Sequence, residues 1–239
     1  MTITVPKPVP QLTPENMLLW SKEPLVDELQ DYVSHTKIGT VLQHPLVYDI
    51  GVILPGLNNL RLEDKKRTLA EAIELRDWES VVFIHERPHR LNAFMRYVAR
   101  VDKSGRMLPI WQHSKRLQEL AIEVWIDSEN IHQHQSDWLE LFRDRPDGAV
   151  LGTKADLKAF AALPDRVHVY RGGGEDSFLS WTTQRHTAVF FAQRFKRQDA
   201  AGREVVNKIR EQVLDKADIF AHFTGRGEAE ILSMKGMGL

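Results

Sequence analysis

Cysteine is absent from this 239-residue chain. That excludes disulfides, thiolate metal sites, iron–sulfur clusters and a cysteine nucleophile together. No apolar run approaches the ~18 residues that mark a membrane-spanning helix. The opening MTITVPKPVPQLTP lacks a basic stretch followed by an apolar one, so it is not read as a secretory signal, and a cytoplasmic protein without membrane partners is expected. Neither sign of charge dominates, since 32 Lys+Arg against 33 Asp+Glu leave a net charge of −1. No global basic field points to nucleic acid, and no acidic tail points to disorder. Internal repeats and low-complexity tracts are missing too. Histidines at 132 and 134 stand two apart in a helical stretch, where they do not share a face, so no metal site is expected.

What is present is ordinary globular composition, 42% hydrophobic and 27% charged, in a length that allows one or two domains. Pro6, Pro8 and Pro10 make an extended arm. Pro14 and Pro24 can open short helices over 14–22 and 24–35, and the turn signals of 44–58 read as loop. Helical periodicity follows over 60–76, with Leu62, Leu69 and Ile73 on one face, then from Pro88 to about Arg100, over 109–126, and from Ser128 to Phe142. Residues 78–86 fit strand or buried helix. After Arg145-Pro146-Asp147-Gly148 the texture changes. Thr153 and Asp156 resemble a capping box, VHVYRG is an alternating run, and 184–196 is amphipathic through Ala188, Phe191, Ala192 and Phe195. Residues 178–182, 204–214, 218–223 and 228–232 read as strands. The expectation is an α+β chain, with a mostly helical region over 1–145 and a mainly antiparallel sheet over 146–239.

Three places in the second half carry chemistry. Arg171 ends a strand and is followed by Gly172, Gly173 and Gly174. A guanidinium there can grip a pyrophosphate in bidentate fashion, and glycines admit a ligand close to the backbone. This is neither a dinucleotide-binding nor a P-loop fingerprint. Ser180 and Thr182 put hydroxyls on alternate positions of a strand, or serve simply as strand-end residues bonding the backbone. Glu228 and Glu230, two apart in an expected strand, would point the same way with Cα atoms roughly 6.6 Å apart. Such a pair is otherwise one solvated sheet face. Arg87, His89, Arg90, Arg96 and Arg100 form a local basic cluster, either a solvated helix face or a nucleic-acid contact.

The order strand-Arg, Ser-x-Thr before a helix, then Glu-x-Glu after a loop resembles the Arg–Ser–Glu class of mono-ADP-ribosyltransferases. VHVYRG (167–172), LSWTTQRHTAVFFAQRF (179–195) and KADIFAHFTGRGEAEIL (216–232) carry the resemblance, in family order. It implies a split, mainly antiparallel sheet preceded by helices, with NAD as substrate and no metal. Arg171 would hold the NAD phosphates or ribose, and Gly172 would offer its backbone to the carboxamide. Ser180 would orient the glutamate and the nicotinamide ribose, and Thr182 would brace the strand. Glu230 would bond the ribose 2′-hydroxyl and stabilise the cationic sugar, an electrostatic effect often worth ~3–4 kcal/mol. Glu228 would position or deprotonate a macromolecular acceptor, a protein arginine first and a nucleic-acid base second. The family usually shows Ser-Thr-Ser where this chain has Ser180-Trp181-Thr182, with Trp181 at the position facing the other way. Such activity often belongs to toxins, phage or bacterial effectors or defence systems, and a toxin would imply a neutralising partner. An inactive binding module and an NAD glycohydrolase are the alternatives.

Overall fold

The computed structural model describes residues 11–37, 39–128, 131–173, 179–194, 197–198, 204–205, 208–225 and 227–235. Its residues cluster into two compact units, Met1–Ala99 with Asp127–Glu129, and Arg100–Ile126 with Asn130–Leu239. The helices of 100–126 and 135–142 therefore cluster with the sheet of the second half.

The first unit adds a small sheet to the expected helices. Helix α1 (Pro14–Lys22) starts where Pro14 predicts, capped by Thr13, whose hydroxyl accepts from the Asn16 amide at 3.3 Å. Helix α2 is only Asp27–Gln30. The chain then forms an antiparallel meander of β1 (Val33–Thr36), β2 (Gly39–His44) and β3 (Val47–Ile50), in the order β1-β2-β3. Part of the stretch read as loop is thus the second hairpin, turning at Pro45-Leu46 between paired His44 and Val47. Leu42, Leu46 and Val47 bury against Leu29 and against Leu62 of α3 (Pro55–Leu75). Residues Trp78–Phe83 resolve as helix α4, with Asp77 accepting from the Ser80 amide as cap and Val81 and Val82 fully buried. A 3₁₀ turn (Arg87–His89), α5 (Arg90–Ala93) and a π-helical turn (Phe94–Val98) follow.

In the second unit, α6 (Lys115–Asp127) and α7 (Gln135–Phe142) supply Trp125, Trp138 and Phe142, all about 1% exposed. Trp138 stacks on Phe142, and Phe142 meets Phe220 at 5.0 Å between ring centroids. The expected capping box is present on α8 (Lys154–Ala161), with the Thr153 hydroxyl and amide both donating to Asp156. The sheet comprises β4 (Arg166–Gly172), β5 (Ser180–Thr182), β8 (Ile209–Asp215), β9 (Ile219–Phe223) and β10 (Glu230–Ser233), in the order β8-β4-β5-β10-β9. Every pair in it is antiparallel. A separate short ribbon joins β6 (Arg197–Gln198) and β7 (Glu204–Val205), and α9 (Arg185–Arg194) follows β5. Val167, Val169, Trp181, Leu214, Ile219 and Ile231 form the core of one sheet face, with Phe160 and Leu163 against it. Trp181 therefore faces away from Ser180 and Thr182, as alternation requires. The architecture is α+β with antiparallel sheets. Phe191 of α9 is half-buried, and Phe195, Gly174 and Pro6 to Pro10 lie outside the described residues. Among the described residues no helix is long and apolar enough to cross a membrane, and no group of three or more His, Cys, Asp or Glu could hold a metal.

Four histidines carry a pH dependence. His44, His85, His113 and His222 are each pushed below the ordinary value of 6.5, chiefly by burial. At His113, Nε2 accepts from the Arg100 amide at 2.9 Å while Nδ1 donates to the Pro109 carbonyl at 3.1 Å, so the ring is held neutral. A lowered folded pKa means the unfolded chain binds protons first, so stability is full above 6.5 and is lost as pH falls. Urea midpoints should decline as pH drops from 6.5 to about 5, before most carboxylates titrate. A flat midpoint over that window would contradict neutral buried imidazoles.

Candidate active site

Two of the sequence-predicted residues, Arg171 and Glu230, converge on a third, Ser180. Its hydroxyl donates to Glu230 Oε1 at 2.5 Å, and its carbonyl accepts from Arg171 Nη1. The register explains the first bond. Glu230 stands directly opposite Thr182, and Leu232 opposite Ser180, so Ser180 and Glu230 are diagonal neighbours on one face. Arg171 arrives differently. Tyr170 pairs with Thr182, so alternation sends Arg171 out on the Val169 and Trp181 face. Its guanidinium returns to the strand edge because β4 and β5 share a single register pair. Past that pair the Ser180 carbonyl takes its donor from the side chain. Arg171 and Glu230 thus meet through one residue, on its carbonyl and its hydroxyl.

Electrostatics follow from this placement. Burial first, and the field of Arg210 after it, bring the Arg171 pKa down to about 10, with Glu230 opposing both. Arg210 stands directly across the ladder from Arg171 on β8. The guanidinium stays protonated at neutral pH, in the form that can take an oxyanion in bidentate fashion.

Thr182 is 7% exposed and works as a brace. Its hydroxyl donates to the Glu228 carbonyl at 2.5 Å and accepts from the Gln184 amide at 3.0 Å, tying the loop before β10 to the start of α9. Glu228 corrects the expected strand. β10 begins at Glu230, and Ala229 has φ of +43°, so a left-handed turn separates the two glutamates. Strand alternation therefore does not align Glu228 with Glu230. Glu228 is half-buried in the loop.

Gly172 packs against α9 on its Cβ side. A Cβ there would lie 1.7 Å from the Ala188 carbonyl oxygen and 2.6 Å from the Ala192 amide of α9. Ala188 and Ala192 are buried at this approach, which is why the amphipathic face of α9 carries small residues. Gly173, by contrast, has φ of +126°, and among the described residues nothing lies within 4 Å of where a Cβ would stand.

Sequence reasoning missed Trp125. Its indole Nε1 donates to Glu230 Oε1 at 3.2 Å, the same oxygen that takes the Ser180 hydroxyl. Trp125 falls in the helical stretch expected over 109–126, but nothing local signals a carboxylate 105 residues downstream. The basic cluster is partly neutralised. Arg90 pairs with Asp127 and donates from Nε to the His85 carbonyl at 3.1 Å, while Arg87 reaches Asp127 at 3.5 Å. His134 meets Asp137 at 3.5 Å. No family model, curated protein or solved structure matches this chain.

Replacing Gly172 with Ala should cost at least ~2 kcal/mol by overpacking, read as a lowered urea midpoint. Ala188→Gly should not rescue it, because the obstacle is a backbone carbonyl. A Gly172→Ala protein of wild-type stability would show that α9 does not sit on β4 this closely.

Proposed function

We propose that this protein is an NAD-dependent mono-ADP-ribosyltransferase. One observation carries the reading: Ser180 is bonded at once by Arg171 and Glu230, so a cation for a diphosphate and a carboxylate for a sugar share one residue. Arg171 holds the NAD phosphates or their ribose, Gly172 offers its backbone to the carboxamide, and Ser180 orients Glu230. Thr182 braces the strand and the loop. Glu230 bonds the nicotinamide-ribose 2′-hydroxyl and stabilises the positive charge that grows on the sugar as the C1′–N bond breaks. The bonding electron pair leaves with nicotinamide, which departs neutral. A nitrogen of the acceptor supplies the pair for the new bond, and its proton passes to Glu228. The acceptor is a macromolecule, a protein arginine before a nucleic-acid base. The ion pairs that occupy Arg87 and Arg90 favour that order.

A second reading keeps the cleavage and gives the sugar to water, which would make the protein an NAD glycohydrolase. The turn at Ala229 favours it, because it frees Glu228 from the strand alternation that would align it with Glu230.

Incubation with NAD should release nicotinamide, and Glu230→Gln should slow release ~100-fold or more. Release at the wild-type rate by Glu230→Gln would remove Glu230 from the reaction. Arg171→Ala should weaken NAD binding in calorimetry. With labelled NAD in a lysate, Glu228→Gln should lower label in protein more than it lowers nicotinamide release. Equal losses, or label in neither protein nor RNA, would favour the hydrolytic reading.

A further inference from the structure

We infer that Trp125 is a positioning residue for Glu230, holding its carboxylate ionised and in one orientation; this rests on the reading of Glu230 as the group that stabilises the cationic sugar. A buried indole N–H needs an acceptor, and a backbone carbonyl would serve. Trp125 is 1% exposed and gives its N–H to a carboxylate on β10 instead. The bond goes to Oε1, where the Ser180 hydroxyl also arrives. Two donors on one oxygen fix the plane of the group, and donors to a carboxylate favour its charged form.

The indole itself is locked. Trp138 meets it edge-on with ring centroids 4.9 Å apart, and Phe142 lies 5.7 Å away. Phe142 is held in turn by Phe220 of β9, the strand that pairs with β10. Trp111 donates its own indole N–H to the Phe142 carbonyl at 3.2 Å. The donor is therefore referenced to the same sheet that carries its acceptor. A group that must be charged before a cation forms gains most from donors that need no rearrangement. Helix α6 then completes the site rather than merely covering the sheet.

The test reads Glu230 directly. Side-chain carboxyl resonances of ¹³C-labelled glutamate, with Glu230 assigned by its loss in Glu230→Gln, give its titration midpoint. Trp125→Phe keeps a ring and removes the N–H. It should raise the midpoint by about one pH unit, a tenfold change in ionisation. The acid limb of nicotinamide release should move up with it, with kcat lowered about tenfold and KM for NAD little changed. Trp138→Phe perturbs the same aromatic cluster without touching the carboxylate, and should leave the midpoint in place. An unchanged midpoint in Trp125→Phe, or equal shifts in both variants, overturns the inference in favour of plain packing. In the wild-type protein, the Trp125 indole ¹H–¹⁵N resonance should follow pH with the midpoint of Glu230, and separate midpoints overturn the inference even if Trp125→Phe does not fold. A wild-type protein that releases no nicotinamide while the midpoint still moves overturns the enzymatic reading and supports the coupling of Trp125 to Glu230.

Discussion

The bond from Arg171 to the Ser180 carbonyl, with the Ser180 hydroxyl on Glu230, is the constraint around which the sheet is arranged. Burying a guanidinium and a carboxylate is costly unless each is closely satisfied. Here the backbone shares the work. β4 and β5 stop pairing after Tyr170 and Thr182, and the carbonyl left at Ser180 receives a charged donor. The sheet gives up ladder bonds at its centre and obtains a charged edge between two strands. A fully laddered β4–β5 pair would have used that carbonyl and closed the edge.

Residue type made much of this site legible. An arginine at a strand end, hydroxyls at 180 and 182 and a glutamate at 230 are few enough, and ordered enough, to be singled out without coordinates. The capping box at Thr153 and Asp156 and the start of α1 at Pro14 were legible for the same reason, since each rests on contacts within one turn of helix. Trp125 was not, because its hydrogen bond depends on tertiary packing across 105 residues. The meander β1-β2-β3 was hidden by its own brevity. Strands of four to six residues, bounded by Gly39 and Pro45, leave turn chemistry as the stronger local signal.

Gly172 and Ala229 show what the backbone adds to residue type and spacing. Gly172 stands in a Gly-rich run that invites a ligand, yet its missing side chain is occupied by the α9 backbone. Among the described glycines of that run, the positive-φ position is Gly173. At Ala229 the two-residue spacing of the glutamates suggests a strand, and a single left-handed residue breaks it. Spacing predicts side-chain direction only while the backbone stays extended.

That turn separates two tasks which spacing alone would merge. Glu230 is fixed by β10 pairing and by donors from Ser180 and Trp125, all from buried or half-buried elements. Glu228 is placed by its loop, through Thr182 on its carbonyl, the Thr183 amide on the Ala229 carbonyl and the Thr224 amide on Asp156. Three backbone-directed bonds hold the loop's path while leaving the Glu228 carboxylate out of the ladder. In the proposed reaction, bond cleavage would depend on the rigid glutamate and acceptor choice on the loop. Loop changes that respect Thr182 and Asp156 would then alter the acceptor without altering the cleavage, because the bonds that orient Glu230 do not pass through Glu228.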